Sequence, residues 1–216
     1  MTIQALPLFP LTVVLFPDGV LPLQIFELRY LNMIKQCIAN GTEFGVVAQT
    51  VRFEIIASSA VAEQPAEPMS QETFTSMGTT AKIVSHSAPQ PGLLRVECLG
   101  GQRFTVLSAQ QQKLGLWVAE VSYIEADQAI HVPSELENTV LGLRQLITAI
   151  TSQIPKGQSA PVAKPYRFDD CGWVANRWCE LIPMQPEQRQ RLLALDNPVI
   201  RLELVQDLLY AGGFLR

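Results

Sequence analysis

The chain has 216 residues, of which 48% are hydrophobic and 17% charged, a composition that belongs to a soluble globular protein able to bury a core without disulfides or a metal. Its formal charge of −4 is uneven: residues 1–130 hold 7 basic and 11 acidic side chains, and residues 131–216 hold 9 of each. Nucleic acid is therefore a disfavoured partner, since phosphate binding needs clustered Lys and Arg, and the absence of a long apolar run and of a basic amino-terminal region argues against a membrane span or signal peptide and for the cytoplasm.

Leu6-Pro7-Leu8-Phe9-Pro10-Leu11 and the segment from Val13 to Tyr30 make an apolar run interrupted by Pro7, Pro10, Pro17 and Pro22. Proline cannot donate to a ladder, so these positions suit edges, bulges and strand entries. Tyr30, Leu31, Ile34 and Ile38 recur at helical spacing, and Asn40-Gly41 is a stop signal. Short β-branched or aromatic runs then follow at residues 46–48, 53–56, 79–84, 93–99, 104–107 and 116–124, separated by Gly, Pro and polar clusters. Their spacing predicts a closed or nearly closed antiparallel sheet, which removes exposed edges. Residues 58–72 have no apolar period, carry Pro65 and Pro68 and are acidic, and read as a surface loop or long hairpin tip.

From residue 133 the period changes to 3.6. Ser134 and Glu137 have the spacing of a capping box, and Leu136, Val140, Leu143, Ile147 and Ile150 form one apolar stripe. Residues 154–168, with Pro155, Gly157, Pro161 and Pro165, read as a connection. A second helix is expected after Asp169 or Asp170 and before Pro183, a third near Pro186, and a fourth near Pro198 capped by Asp196 or Asn197 and ended by Gly212-Gly213. The fold class is thus α+β, with a β-rich part over residues 1–130 and a helical bundle over residues 131–216.

Reactive constellations are sparse. Cys37, Cys98, Cys171 and Cys179 contain no Cys-x-x-Cys pair, and only His86 and His131 stand ready to complete a metal site, so buried free thiols and no metal or cofactor are expected. His86, between a run of strand residues and the turn Pro89-Gln90-Pro91-Gly92, reads as an exposed loop histidine. Asp169-Asp170 reads as a helix cap, and Trp173 and Trp178 read as bundle core.

Three further segments carry a family likeness. Met77-Gly78-Thr79-Thr80-Ala81-Lys82-Ile83 resembles a Val-Gly-Thr-x-Ala-x-Ile strand, and Gly100-Gly101-Gln102-Arg103-Phe104-Thr105-Val106-Leu107 resembles a Gly-x-x-Arg-Phe-x-Val run. Glu180-Leu181-Ile182-Pro183-Met184 with Glu187-Gln188-Arg189-Gln190-Arg191-Leu192-Leu193 resembles a helix, Leu-Pro-Leu turn and helix with paired leucines. Together with the Leu6 to Tyr30 segment, these lie in the order found in the amino-terminal substrate-binding domain of the Lon protease family, and the chain resembles its stand-alone form. The resemblance implies a PUA-like pseudo-barrel followed by a helical bundle, and a module that binds unfolded or degron-bearing protein, as an adaptor in protein quality control. No Gly-x-x-x-x-Gly-Lys-Ser/Thr phosphate loop is present and the chain ends before a Ser-Lys peptidase domain could begin, so a non-catalytic role is expected.

The residues expected to bind are Phe16, Pro17, Leu21, Phe26 and Tyr30, with Arg29 at the rim, because proline-interrupted apolar chain leaves aromatic and aliphatic side chains for an exposed patch. Arg103 is assigned either to binding or to a structural ion pair, and its neighbour Phe104 to the core. The same patch could also support a homodimer, although no heptad accompanies it. Two alternatives remain open: an RNA- or nucleotide-binding PUA-like module, and a small-molecule enzyme using the cleft between barrel and bundle.

Overall fold

The structure, a computed structural model, describes residues 3–50, 73–155 and 160–215. Among them are strands β1 (Ile3–Leu11), β2 (Val20–Ile25), β3 (Phe44–Thr50), β4 (Thr73–Gln90), β5 (Leu93–Gln111) and β6 (Trp117–Tyr123). The helices are α1 (Leu28–Asn40), α2 (Glu137–Gln153), α3 (Cys171–Leu181), α4 (Pro186–Leu193) and α5 (Pro198–Ala211). The strand expected at residues 53–56 and the loop expected at 58–72 lie outside the described residues.

The sheet runs β2-β5-β4-β3-β1-β6, and β5 also pairs with β6, so five strands close into a ring while β2 sits outside it on β5. Closure agrees with the sequence expectation, but the sheet is mixed. β1 pairs with β3 in parallel, because the chain returns to the sheet through β2 and α1 rather than through a hairpin. β1 pairs with β6 over Ile3–Leu8 and with β3 over Leu8–Leu11, so only Leu8 belongs to both ladders. Pro7 and Pro10 therefore each lie in a half-strand with one open side, Pro22 lies in the terminal strand β2, and Pro17 lies in the turn between β1 and β2. A central strand can carry prolines in this way without losing ladder donors.

The runs at 93–99 and 104–107, expected as separate strands, form one strand, β5, that passes through Gly100-Gly101. Close approach explains the glycines. A Cβ on Gly100 would lie 2.0 Å from the Phe16 carbonyl oxygen, and one on Gly78 would lie 2.3 Å from the Val46 carbonyl oxygen. His86 lies within β4 opposite Val96 rather than in a loop, and its side chain is exposed as expected.

Helix boundaries follow local chemistry. Gly41, at φ +65°, ends α1 and its N–H donates to the Cys37 carbonyl. Asp170 Oδ1 accepts from the Gly172 and Trp173 amides at 2.9 and 3.4 Å, and Asn197 Oδ1 accepts from Val199 and Ile200 at 2.9 and 3.3 Å. Those two residues are thus the caps among the pairs left open by sequence. The Ser134 capping box does not form. Residues 134–136 make a separate 3₁₀ turn and α2 starts at Glu137, so Ser134 stands three residues before the helix.

Among the described residues the core forms three apolar clusters. One sits inside the ring around Leu8, Phe104 and Val121; one packs α1 against β2 and β5 through Ile34, Ile25 and Val96; the third is the bundle core around Leu143, Trp173, Trp178 and Leu202. The bundle core also contains Val14, Phe16 and Ala48, so β-rich and helical parts share buried surface.

Candidate binding groove between barrel and bundle

The segment between β1 and β2 crosses from the barrel to the bundle and is clamped by α3. Arg177, wholly buried, donates to the Asp18 and Pro17 carbonyls at 2.6 and 2.7 Å and pairs with Glu180 at 3.0 Å. Asp18 is also paired with Arg167. The Glu180 carboxylate is packed against Gly19, where a Cβ would lie 2.0 Å from Oε1 and 2.9 Å from the Phe16 carbonyl oxygen, so a larger residue there would displace the carboxylate.

A second joint lies nearby. Asp127, in the connection after β6, accepts from Arg103 Nη2 of β5 at 2.9 Å and from Arg201 Nη1 of α5 at 2.5 Å. Arg103 also donates to the Leu193 and Leu195 carbonyls at 2.8 and 3.2 Å, and Arg201 to the Leu192 carbonyl at 3.0 Å and Asn176 Oδ1 at 3.1 Å. Both guanidiniums are almost fully buried, and burial pulls the ionisation of Arg103 down even with Asp127 beside it. Buried guanidiniums persist only where carboxylate and carbonyl oxygens satisfy them, as they do here.

Beside the clamp runs a groove of about 680 Å³, walled by Val13, Val14, Leu15, Val20, Leu21 and Pro22 from the segment around the turn and by Pro161 and Leu181 from the helical side. Glu97, Glu180 and Arg189 are its charged residues. Burial pushes the Glu180 carboxyl up to about 7, with Arg177, the Phe16 amide and Arg189 acting in the opposite direction. Arg189 Nη2 is occupied by the Ile182 carbonyl at 3.0 Å. Among the described residues no group of three or more His, Cys, Asp or Glu side chains is arranged to hold a metal ion, and no helix is long and apolar enough to cross a membrane. Burial raises the Cys98 and Cys179 thiols to about 12 and Cys171 to about 11, which keeps them in the unreactive protonated form.

The residues singled out from sequence divide between packing and surface. Phe16 is wholly buried in the bundle core and Tyr30 is 4% exposed, stacked on Phe9 with ring centroids 3.9 Å apart. A solvent-facing patch built on those two rings is therefore not what the chain forms, since both rings gain more by burial than an exposed position would allow. Pro17 contributes its carbonyl to Arg177, and Arg103 takes the structural role. Arg29 pairs with Glu27 at 2.9 Å and donates to the Gly115 carbonyl at 2.9 Å. Leu21 lines the groove, and Phe26 is 71% exposed. Leu28 and Leu114 are also exposed, the latter at φ +67° in the turn held by Arg29. Sequence reading did not single out Val13, Leu15, Val20, Leu181, Glu97, Glu180 or Arg189. Val13, Leu15 and Val20 lay inside the proline-interrupted segment, whereas nothing in the local pattern joins them to α3, far along the chain.

Residues 5–211 match the model of the ATP-dependent protease La (LON) substrate-binding domain. Lon protease 2 of Myxococcus xanthus is 26% identical over 207 residues, covering 95% of this chain and 23% of that protein. The chain thus spans about a quarter of the length of the curated Lon relatives it matches. The crystal structure of a Lon N-terminal domain protein from Xanthomonas campestris superposes with a TM-score of 0.70 at 27% identity, covering 94% of this chain and 98% of that one. The N-terminal domain of Mycobacterium avium complex Lon protease shares the fold, with a TM-score of 0.58 at 13% identity and coverage of 94% and 97%. The mixed sheet followed by helices, and the match along nearly the whole chain, establish that the protein belongs to the Lon substrate-binding domain family.

Proposed function

We propose that this chain is a non-catalytic module that captures extended apolar segments of unfolded or degron-bearing protein in the groove between barrel and bundle, and that it serves as a cytoplasmic adaptor in protein quality control. The observation that carries this is the groove's apolar wall from Val13 to Pro22, set on a scaffold whose family is one of substrate-binding domains. Residues 13–19 of that segment lie outside the strands, and Val13 remains 40% exposed. An extended polypeptide offers side chains to such a groove on one face, and the rim carboxylates limit nonspecific collapse onto it.

The test is fluorescence anisotropy with a labelled, reduced and alkylated model protein. Val13→Asp places a charge on the exposed wall, where it costs the fold little, and should weaken capture by tenfold or more, the scale of a charge set against an apolar contact. Equal capture by the parent and by Val13→Asp would refute the groove as the site.

A further inference from the structure

We infer that the groove selects apolar segments that carry a lysine or arginine, with the carboxylates of Glu97 and Glu180 receiving the cation. This rests on the groove being the peptide site proposed above. The charge inside it is lopsided. Two carboxylates, Glu97 and Glu180, face one guanidinium, Arg189, whose Nη2 already donates to the Ile182 carbonyl at 3.0 Å. Glu97 stands on β5 opposite Pro22, a residue with no N–H to offer, and among the described residues no hydrogen bond or ion pair engages its carboxylate. Glu180 has Arg177 as its ion-pair partner, and the two Nη atoms of Arg177 are already taken by the Pro17 and Asp18 carbonyls.

Two carboxylates on apolar walls make a poor seat for an acidic segment or a peptide carboxyl end and a good one for an ammonium or guanidinium, because partial desolvation strengthens attraction and repulsion alike. Aliphatic stems of Lys and Arg would lie along Val20, Leu21 and Leu181 while their heads reach the carboxylates. The net charge of −4 favours approach of such segments.

Proton linkage gives the selection a signature. Glu180 faces Arg177 on its own helix, Arg189 on α4, and the Phe16 amide and Asp18 on the turn, and shares the groove with Glu97 on β5. Burial holds its carboxyl near 7, so a cation arriving beside it expels a proton near neutral pH. Affinity for a cationic segment therefore rises between pH 6 and pH 8, and affinity for a neutral one does not follow.

The experiment titrates the full chain with three short fluorescent peptides of one leucine-serine alternation whose central residue is lysine, norleucine or glutamate. The lysine peptide should bind about tenfold more tightly than the norleucine peptide at pH 8, with the glutamate peptide weakest and the lysine advantage reduced at pH 6. Glu97→Gln and Glu180→Gln should each bring the lysine-to-norleucine ratio toward one. Should Glu180→Gln fail to fold, Glu97→Gln, at a partly exposed position, carries the test. Equal binding of the lysine and norleucine peptides, or a ratio that neither substitution changes, overturns the selection while leaving the groove in place if Val13→Asp still weakens binding. Binding of none of the three overturns the groove assignment and the selection with it.

Discussion

Replacing Asp127 with alanine tests how barrel and bundle are held together. Its carboxylate accepts from Arg103 at 2.9 Å and from two nitrogens of Arg201 at 2.5 and 3.4 Å, and its side chain is 15% exposed. After the substitution Arg103 keeps two carbonyls and Asp196 at 3.3 Å, whereas Arg201, 1% exposed, keeps carbonyl and amide oxygens but no carboxylate. An uncompensated buried guanidinium costs about 3–5 kcal/mol, and the part retained by Arg103 puts the expected loss toward the lower end, about 3 kcal/mol. For a chain of this size that corresponds to a fall in Tm of roughly 6–12 °C. Urea denaturation followed by far-UV circular dichroism measures it, with the m-value unchanged if native and unfolded states keep their compactness. Asp196→Ala is the internal comparison. Its side chain is 82% exposed, so its pair with Arg103 is worth at most ~1 kcal/mol. An Asp127→Ala loss as small as that of Asp196→Ala would refute the idea that this carboxylate compensates the buried arginines.

Phe16→Ala should cost about 3–5 kcal/mol in urea denaturation because the ring is wholly buried in the bundle core, whereas Phe26→Ser, at 71% exposure, should stay within about 0.5 kcal/mol of the parent. Gly100→Ala forces a Cβ to within 2.0 Å of a backbone oxygen and should lower Tm well beyond Gly92→Ala, which meets no atom within 4 Å and bears only the roughly 1–2 kcal/mol of a φ of +80°. Glu180 has a carboxyl raised from 4.5 to about 7, so its stabilising contribution is fully present below about pH 4.5 and is lost as pH rises through 7. Chemical denaturation at pH 5, 6, 7 and 8 should show the parent losing stability relative to Glu180→Gln by at most ~1.4 kcal/mol per pH unit between pH 5 and 7, and by only about 0.4 kcal/mol more at pH 8.

Local signals in the sequence were enough wherever the physics is local. Asp170 and Asn197 mark helix starts because a side-chain cap is satisfied by amides two or three residues away, while Gly41 marks a helix end and Pro186 a start because left-handed φ and a missing N–H each act on the same turn. Gly78 and Gly100 stand in the motifs that carry the family likeness, but the close backbone approach that requires them belongs to the sheet register. Ser134 shows the limit: its spacing to Glu137 fits a capping box, yet an intervening 3₁₀ turn, with Leu136 buried in the bundle core, moves the helix start past it. Within the Leu6 to Tyr30 segment, sequence marks a proline-interrupted apolar surface but does not separate the ring that reaches solvent, Phe26, from the two that pack, Phe16 and Tyr30. Phe16 and Phe26 are equivalent in type and pattern, and only the docking of α3 on the turn buries the first and leaves the second exposed. The groove likewise exists only once residues near position 20 meet residues near position 180, since burial, desolvation and the raised carboxyl of Glu180 are properties of atoms brought together across the fold.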